Sequence, residues 1–323
     1  MKKVFLFSLL LAVAFFSAVG AGTATAQSDQ LNIITTVFPI FDFTRTVGAD
    51  HVQVSQLLPP GADSHSYEPT PREIVRLQEA DLFIYVGGES DAWIDSILES
   101  LGKDAPQTLK LIDSVRAVPE ELVEGMQEEE GHDHEGEHEE HDEHGEEVVY
   151  DEHIWTAPQN AVLMTQAIAA KLIEVDSSNA AAYEENAAAF VKKLEALDAS
   201  YRGFIEYAAR KTIVVGDRFP FRYLADAYGL EYYAAFPGCS ADVEPSAATI
   251  AFLVDKVKAD QIPVVFYIES SNHKVADTIA SATGAKALLL HSAHNVTQAE
   301  IDAGATYLSI MIENMPKLHE ALN

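Results

Sequence analysis

Three histidines stand where an imidazole could reach a common point. His65 lies in the loop Pro59-Pro60-Gly61-Ala62-Asp63-Ser64-His65-Ser66-Tyr67-Glu68-Pro69, directly after an apolar run from Val52 to Leu58. His153 lies in Tyr150-Asp151-Glu152-His153-Ile154-Trp155, shortly before a long alanine-rich segment. His291 follows Ala287-Leu288-Leu289-Leu290 without a spacer, and Gly216-Asp217-Arg218-Phe219-Pro220 follows another apolar run, Thr212 to Val215. Three imidazoles converging on one point suit Zn²⁺, which takes nitrogen donors at roughly 2.0–2.1 Å in four-coordinate geometry. A lone histidine is more often a solvated or capping residue, so the case depends on the elements that carry these loops.

Those elements read as α/β. Apolar runs of strand length alternate with segments of helical period, which argues for parallel βα units. Strands are expected at Leu31 to Phe38, Val52 to Leu58, Leu82 to Val86 and Thr108 to Ile112, with helices at Pro71 to Glu79 and Asp91 to Leu101. Pro71 suits a first helical turn. After a helix from Asn160 to Glu174, Asn179 is placed to cap a longer one from Ala180 to Ala209. Its apolar positions Tyr183, Ala187, Phe190, Leu194, Leu197, Tyr201, Phe204 and Ala208 step by threes and fours along one stripe. At 1.5 Å per residue that helix is about 45 Å long, enough for a stiff strut between two halves. A coiled-coil dimer is the competing reading of the stripe, but a single isolated segment in an α/β chain argues against it, so a monomer is expected. Strands resume at Thr212 to Val215, Tyr232 to Phe236, Val264 to Ile268 and Lys286 to Leu290. Helices fit at Phe221 to Tyr228, Pro245 to Ala259, Lys274 to Thr283 and Ala303 to Leu318. The fold class is therefore α/β, two Rossmann-like lobes, 27–158 and 211–323, joined by connecting helices over 159–210. Ligands of such sheets sit beyond the carboxyl ends of the strands, and there the four histidine- and aspartate-bearing segments face a shared cleft.

Several of these segments resemble a known family. Pro60-Gly61-Ala62-Asp63-Ser64-His65-Ser66-Tyr67-Glu68-Pro69-Thr70-Pro71 resembles the first metal-ligand loop of the zinc/manganese-type ABC-transporter substrate-binding proteins, the ZnuA/TroA-like family. Asp151-Glu152-His153-Ile154-Trp155 resembles that family's D-P-H-I-W segment, with Glu152 in place of proline. Phe221-Arg222-Tyr223-Leu224 through Tyr228-Gly229-Leu230 resembles a third site region, and Glu244-Pro245-Ser246 a further landmark. The resemblance implies a binding protein without a catalytic step, which captures a divalent metal outside the cytoplasmic membrane and delivers it to a cognate permease. It carries His65 and His153 over as ligands and sets His291 where the last ligand is usually aspartate. Arg218 stands at the third ligand position, and a guanidinium has no lone pair to offer. Either Asp217 or water would then complete the set, with Arg218 paired to Glu244 or Glu269. An imidazole-rich set favours Zn²⁺ over Mn²⁺. A manganese-binding member of the family is one alternative. A secreted zinc hydrolase with a His₃–water site is another, from a different class, although no H-E-x-x-H is present. Cys239 could add a thiolate but reads first as a partly buried thiol, while His51, His273, His294 and His319 read as surface residues, with His294 near enough to His291 to support it.

The charge is concentrated. The 323 residues carry 51 acidic and 21 basic side chains, a net charge of −30. Such a surface repels nucleic acid and anionic lipid, and no phosphate-binding or heme-attachment motif is present. Between Glu128 and Glu147 stand twelve acids, the histidines His132, His134, His138, His141 and His144, and three glycines, with nothing else. With no apolar residue to drive collapse, this run is expected to be disordered when free. Its histidines read as weak auxiliary metal capture. Lys2-Lys3, an apolar stretch from Val4 to Val19 and Ala24-Thr25-Ala26 together read as a cleaved secretory signal over 1–26. The expected location is periplasmic, with secretion as second choice. A single cysteine, Cys239, excludes an internal disulfide, and lipid attachment at a mature N-terminal cysteine is not expected.

Overall fold

Apolar runs too short for independent helices become parallel strands when helices cover both faces of the sheet. In the computed structural model, residues 30–126, 148–239 and 244–323 are described. The signal segment 1–26 and the acidic run 128–147 with its five histidines lie outside them. The first lobe runs β1 (Leu31–Thr35), α1 (Phe38–Gly48), β2 (Val52–Gln56), α2 (Pro71–Gln78), β3 (Leu82–Tyr85), α3 (Ala92–Leu101) and β4 (Gln107–Lys110). Two helices follow, α4 (Pro158–Val175) and α5 (Ala180–Glu206). The second lobe runs β5 (Thr212–Arg218), α6 (Arg222–Tyr228), β6 (Glu231–Phe236), α7 (Ala247–Ala259), β7 (Val264–Tyr267), α8 (Lys274–Thr283), β8 (Lys286–Leu289), α9 (Gln298–Asp302) and α10 (Tyr307–Leu322).

Each lobe holds a four-stranded, wholly parallel sheet. The orders are β2-β1-β3-β4 and β6-β5-β7-β8, the same arrangement twice. In both, the order reverses beside the first strand, and the loops at the carboxyl ends of the strands, those after β2, β5, β7 and β8 among them, line the crevice. Gly216 in β5 shows how closely the layers meet, since a Cβ there would lie 2.7 Å from the backbone of Ala276 in α8.

Helix α5 ties the lobes together. Its 27 residues span about 40 Å, and it buries Tyr183, Ala187, Phe190, Leu194, Leu197, Tyr201 and Ile205. Phe190 packs on Phe43 of α1, with ring centroids 5.5 Å apart. Further along, Tyr201 stacks on Tyr228 of α6 and its hydroxyl donates to Met311 O of α10 at 2.7 Å. The stripe thus reaches both lobes, and one continuous core includes Ile33, Phe43, Phe190, Tyr201, Ile213 and Tyr307.

Several expectations differ from the structure. Helix α1 was not expected, because Phe38 to Phe41 continues the apolar run of β1 and its polar face is short, limited to Asp42, Arg45 and Thr46. It is buried at Phe38, Ile40, Phe43, Val47 and even Asp42. Asp42 is held there by accepting from Arg45 Nε at 2.9 Å and from Tyr307 N, at the start of α10, at 2.8 Å. Asn179 precedes α5 as expected but makes no capping bond. Its side chain instead donates to Asp176 Oδ2 at 2.6 Å. Helix α5 ends at Glu206, so Ala208 lies beyond it and Ile205 completes the stripe. Strand β5 extends through Arg218, three residues past its apolar run. Because Leu194 is fully buried midway along α5, Leu194→Ala should lower the unfolding free energy by about 2–5 kcal/mol. Urea denaturation measures this, and a loss below about 1 kcal/mol would contradict the packing assigned to the strut.

Candidate metal centre

The loop after β2 carries His65. It turns at Gly61, whose φ of +74° favours glycine, and closes with Tyr67 N donating to Ser64 O at 3.1 Å. Asp63 Oδ1 accepts the His65 amide at 3.0 Å. This loop is strapped to the second lobe. Asn295 Nδ2 donates to Pro59 O and Ala62 O at 2.7 and 2.9 Å, and Gly61 N donates to Val296 O at 3.0 Å. Arg218 Nη2 meets Asp63 Oδ2 at 2.6 Å, a charge pair across the cleft.

His153 enters from a short antiparallel ribbon, in which Asp151 N donates to Val118 O at 3.0 Å and Pro119 pairs with Tyr150. Asp151 Oδ1 accepts the His153 amide at 2.8 Å and lies 3.1 Å from Nδ1. That bond directs Nε2 into the cleft, where it is buried with no hydrogen-bond partner. A buried polar atom without a partner is costly and calls for a ligand. Trp155 walls the site. It is fully buried, its Nε1 donates to Ser292 O at 2.8 Å, and its ring meets those of His153 and His294 edge-on.

The third imidazole is His294. After β8 the chain passes Ala293, at φ +62°, and His294 N donates to Glu269 Oε1 at 3.0 Å. Glu269 also accepts from Ser292 N at 2.7 Å, which fixes the turn. One nitrogen each from His65, His153 and His294 lies within 4.8 Å of the others. Around a tetrahedral Zn²⁺ such donors stand about 3.4 Å apart, so the rings need adjust by only about an ångström. A cavity of about 30 Å³ opens onto them beside Arg218, Ser270 and Asn295, room for one water-sized ligand.

Burial, then the neighbouring His153 and Arg218, push the His65 pKa down to about 3, against a smaller opposing pull from Asp63. His294 is pushed well down by burial, His153, His65 and Arg218. Burial acts the same way on His153, but the carboxylates of Asp151, Glu152 and Glu120 together outweigh it and its pKa is raised. His65 and His294 are thus neutral at physiological pH, the form that binds metal.

His291 was expected in this set and is not in it. Its backbone is pinned by Asn314, which accepts from His291 N at 3.0 Å and donates to His291 O at 2.7 Å. The ring lies behind the strand ends, with Nε2 3.4 Å from Glu300 Oε1 and Nδ1 3.5 Å from Glu269 Oε2. The first residue after a strand need not face the crevice, and here the left-handed Ala293 turns the third one inward. Asp217 is also outside the set. Alternate strand residues face opposite ways, so Arg218 lines the cleft while Asp217 accepts from its own strand and from Ser271. Arg218 pairs with Asp63 rather than with Glu244 or Glu269. Cys239 stands apart from the imidazoles, near Glu89 and Glu120. Its amide donates to Glu120 Oε1 at 2.8 Å, and burial, then Glu152 and Asp151, push its thiol pKa up.

The family model of ZnuA, zinc-uptake complex component A, periplasmic, matches residues 33–321. The zinc-binding lipoprotein AdcA of Streptococcus pneumoniae is 32% identical over 322 residues, which cover 99% of this chain and 61% of the relative. The chain therefore spans less than two thirds of that relative's length. The high-affinity zinc uptake system protein ZnuA of Bacillus subtilis is 34% identical over 313 residues, 97% of this chain and 94% of the relative. The crystal structure of the Zn(II)-bound ZnuA-like domain of Streptococcus pneumoniae AdcA superposes with a TM-score of 0.74 at 29% identity, covering 91% of this chain and 99% of that one.

The electrostatics predict an acid-sensitive apo protein. Unfolded, His65 takes up a proton near its ordinary value of 6.5, whereas in the fold it resists protonation down to about 3. Within that window the unfolded state binds more protons, so stability rises with pH and is lost on acidification, by about 1.4 kcal/mol per pH unit per proton. In chelator-treated protein, His65→Gln should flatten the dependence of unfolding free energy on pH between about pH 4 and about pH 6 by up to one proton. Urea titrations across that range measure it, and an unchanged slope would contradict a buried neutral His65.

Proposed function

This chain belongs to the ZnuA family of zinc-uptake components, and from that premise we propose that it captures Zn²⁺ outside the cytoplasmic membrane and passes it to an ABC permease for import. The observation that carries this reading is the trio His65, His153 and His294, with nitrogens within 4.8 Å of one another and His153 Nε2 buried without a partner. These three are the proposed ligands, and a water-sized ligand in the adjoining cavity completes four-coordination. Imidazole-rich donor sets suit zinc, while manganese sites favour carboxylates, and the cavity carboxylates Asp63 and Glu269 are engaged by Arg218 and by backbone amides instead. Two ligands come from the first lobe and one from the second, so separation of the lobes would dismantle the site and release the ion. The protein acts as a carrier rather than a catalyst in this reading.

The His-rich run supplies a second, weaker capture at His132, His134, His138, His141 and His144. Composition supports this, as does its place in the chain. The ribbon that pairs Pro119 with Tyr150 brackets the run and leads directly to His153. Ordering a free chain around each ion costs entropy, so its affinity falls below that of the cleft.

Competition against a chelator of known zinc affinity tests the assignment. His65→Ala, His153→Ala and His294→Ala should each weaken binding by about a hundredfold or more, beyond the usual effect of residues behind the ligands. His291→Ala and deletion of residues 128–147 should leave the tight site within about threefold of the parent, since neither removes a donor. Tight binding that survives His294→Ala and fails in His291→Ala would refute it.

A further inference from the structure

Asp151 and Glu152 are consecutive carboxylates that serve different histidines. Asp151 backs His153, whereas Glu152, 1% exposed, turns to the loop after β3. Its Oε1 accepts the Ser90 hydroxyl at 2.6 Å and its Oε2 accepts the Ser90 amide at 2.9 Å. The Ser90 hydroxyl proton is thereby committed to Glu152. What faces His65 Nδ1, 2.9 Å away, is the Ser90 Oγ lone pair, so Nδ1 must supply the hydrogen of that bond. A neutral imidazole carrying its hydrogen on Nδ1 has its lone pair on Nε2, the nitrogen left free for the cleft. The loop is shaped to admit this arrangement, because a Cβ on Gly88 would come within 2.2 Å of Glu152 Cβ.

We propose that Ser90 and Glu152 are positioning residues for His65, a relay that fixes its tautomer and ring plane and strengthens Nε2 as a donor to Zn²⁺. The inference rests on His65 being a zinc ligand. Partners behind a ligating imidazole typically change metal affinity by about 10–100-fold, and a relay acts as a unit, so its members couple when removed together.

The test uses the full chain with Zn²⁺ as probe, in chelator competition on Ser90→Ala, Glu152→Gln and the double variant. Each single change should weaken binding by about 10–100-fold, and the double should be within about threefold of the weaker single, because either change alone breaks the relay. Wild-type affinity in both singles would overturn the proposal. So would losses that multiply in the double, since independent structural effects behave that way. Nitrogen-15 NMR of the histidines in the metal-free parent needs no variant to fold. It should show His65 carrying its hydrogen on Nδ1, and a hydrogen on Nε2 would overturn the relay. Failure of the ligand assignment itself reads differently, as His65→Ala binding Zn²⁺ like the parent.

Discussion

The fold is organised around keeping three imidazoles buried and close together, with His65 and His294 held unprotonated. Burial removes the water that would stabilise a positive charge, and each ring near its neighbours discourages their protonation in turn. The same burial leaves His153 Nε2 without a hydrogen-bond partner, a cost that an arriving cation relieves. The carboxylates around the site are engaged by protein groups: Asp63, which lines the cavity, is paired with Arg218. Asp151 backs His153 and Glu269 holds the His294 backbone. The free nitrogens therefore face one another across the cavity instead of turning to protein acceptors.

The architecture meets that constraint by using one strand order twice. Parallel strands place every carboxyl-end loop of a sheet at one edge, and the two lobes bring those edges together. The loop after β2 supplies His65, and the loop after β8 supplies His294. Segments outside the strands complete the cleft, with His153 and Trp155 arriving from the ribbon before α4. The Trp155 carbonyl accepts from the Tyr307 hydroxyl at 2.7 Å, so this wall is anchored at the start of α10. Helix α5 holds the lobes at a common spacing, and Asp63–Arg218 and Asn295 lock the His65 loop to the opposite side. Arg218 is paired with Asp63 in the cleft, which offsets its repulsion of a cation.

Much of this was legible in the chain. The strands announce themselves as short apolar runs, and the capping box of Thr70 and Glu73 starts α2 where Pro71 indicates. His65 and His153 stand in motifs specific enough to name. Other features depend on three-dimensional context. Helix α1 is buried over most of its surface and keeps only a short polar face around the exposed Arg45, too little to reveal its period beside the apolar run of β1. The exchange of His291 for His294 turns on the backbone of Ala293 and on Asn314, which lies on a distant helix. The signal that could have found it is spacing. A residue a few places beyond the strand end remains within a crevice loop, as His294 does. Arg218 and Asp63 are 155 positions apart, and no local pattern joins them. Glu152, which departs from the proline of the resembled segment, reads in sequence as an irregularity and in the fold as the partner of Ser90.

In the proposed site His65, His153 and His294 together hold the ion. Diffraction from zinc-loaded crystals at the zinc absorption edge tests this most directly. An anomalous peak is expected roughly 2.0–2.1 Å from one nitrogen of each of these three rings, with His291 still turned toward Glu300. A zinc ion held by His291 or Asp217, with His294 outside its coordination sphere, would contradict it.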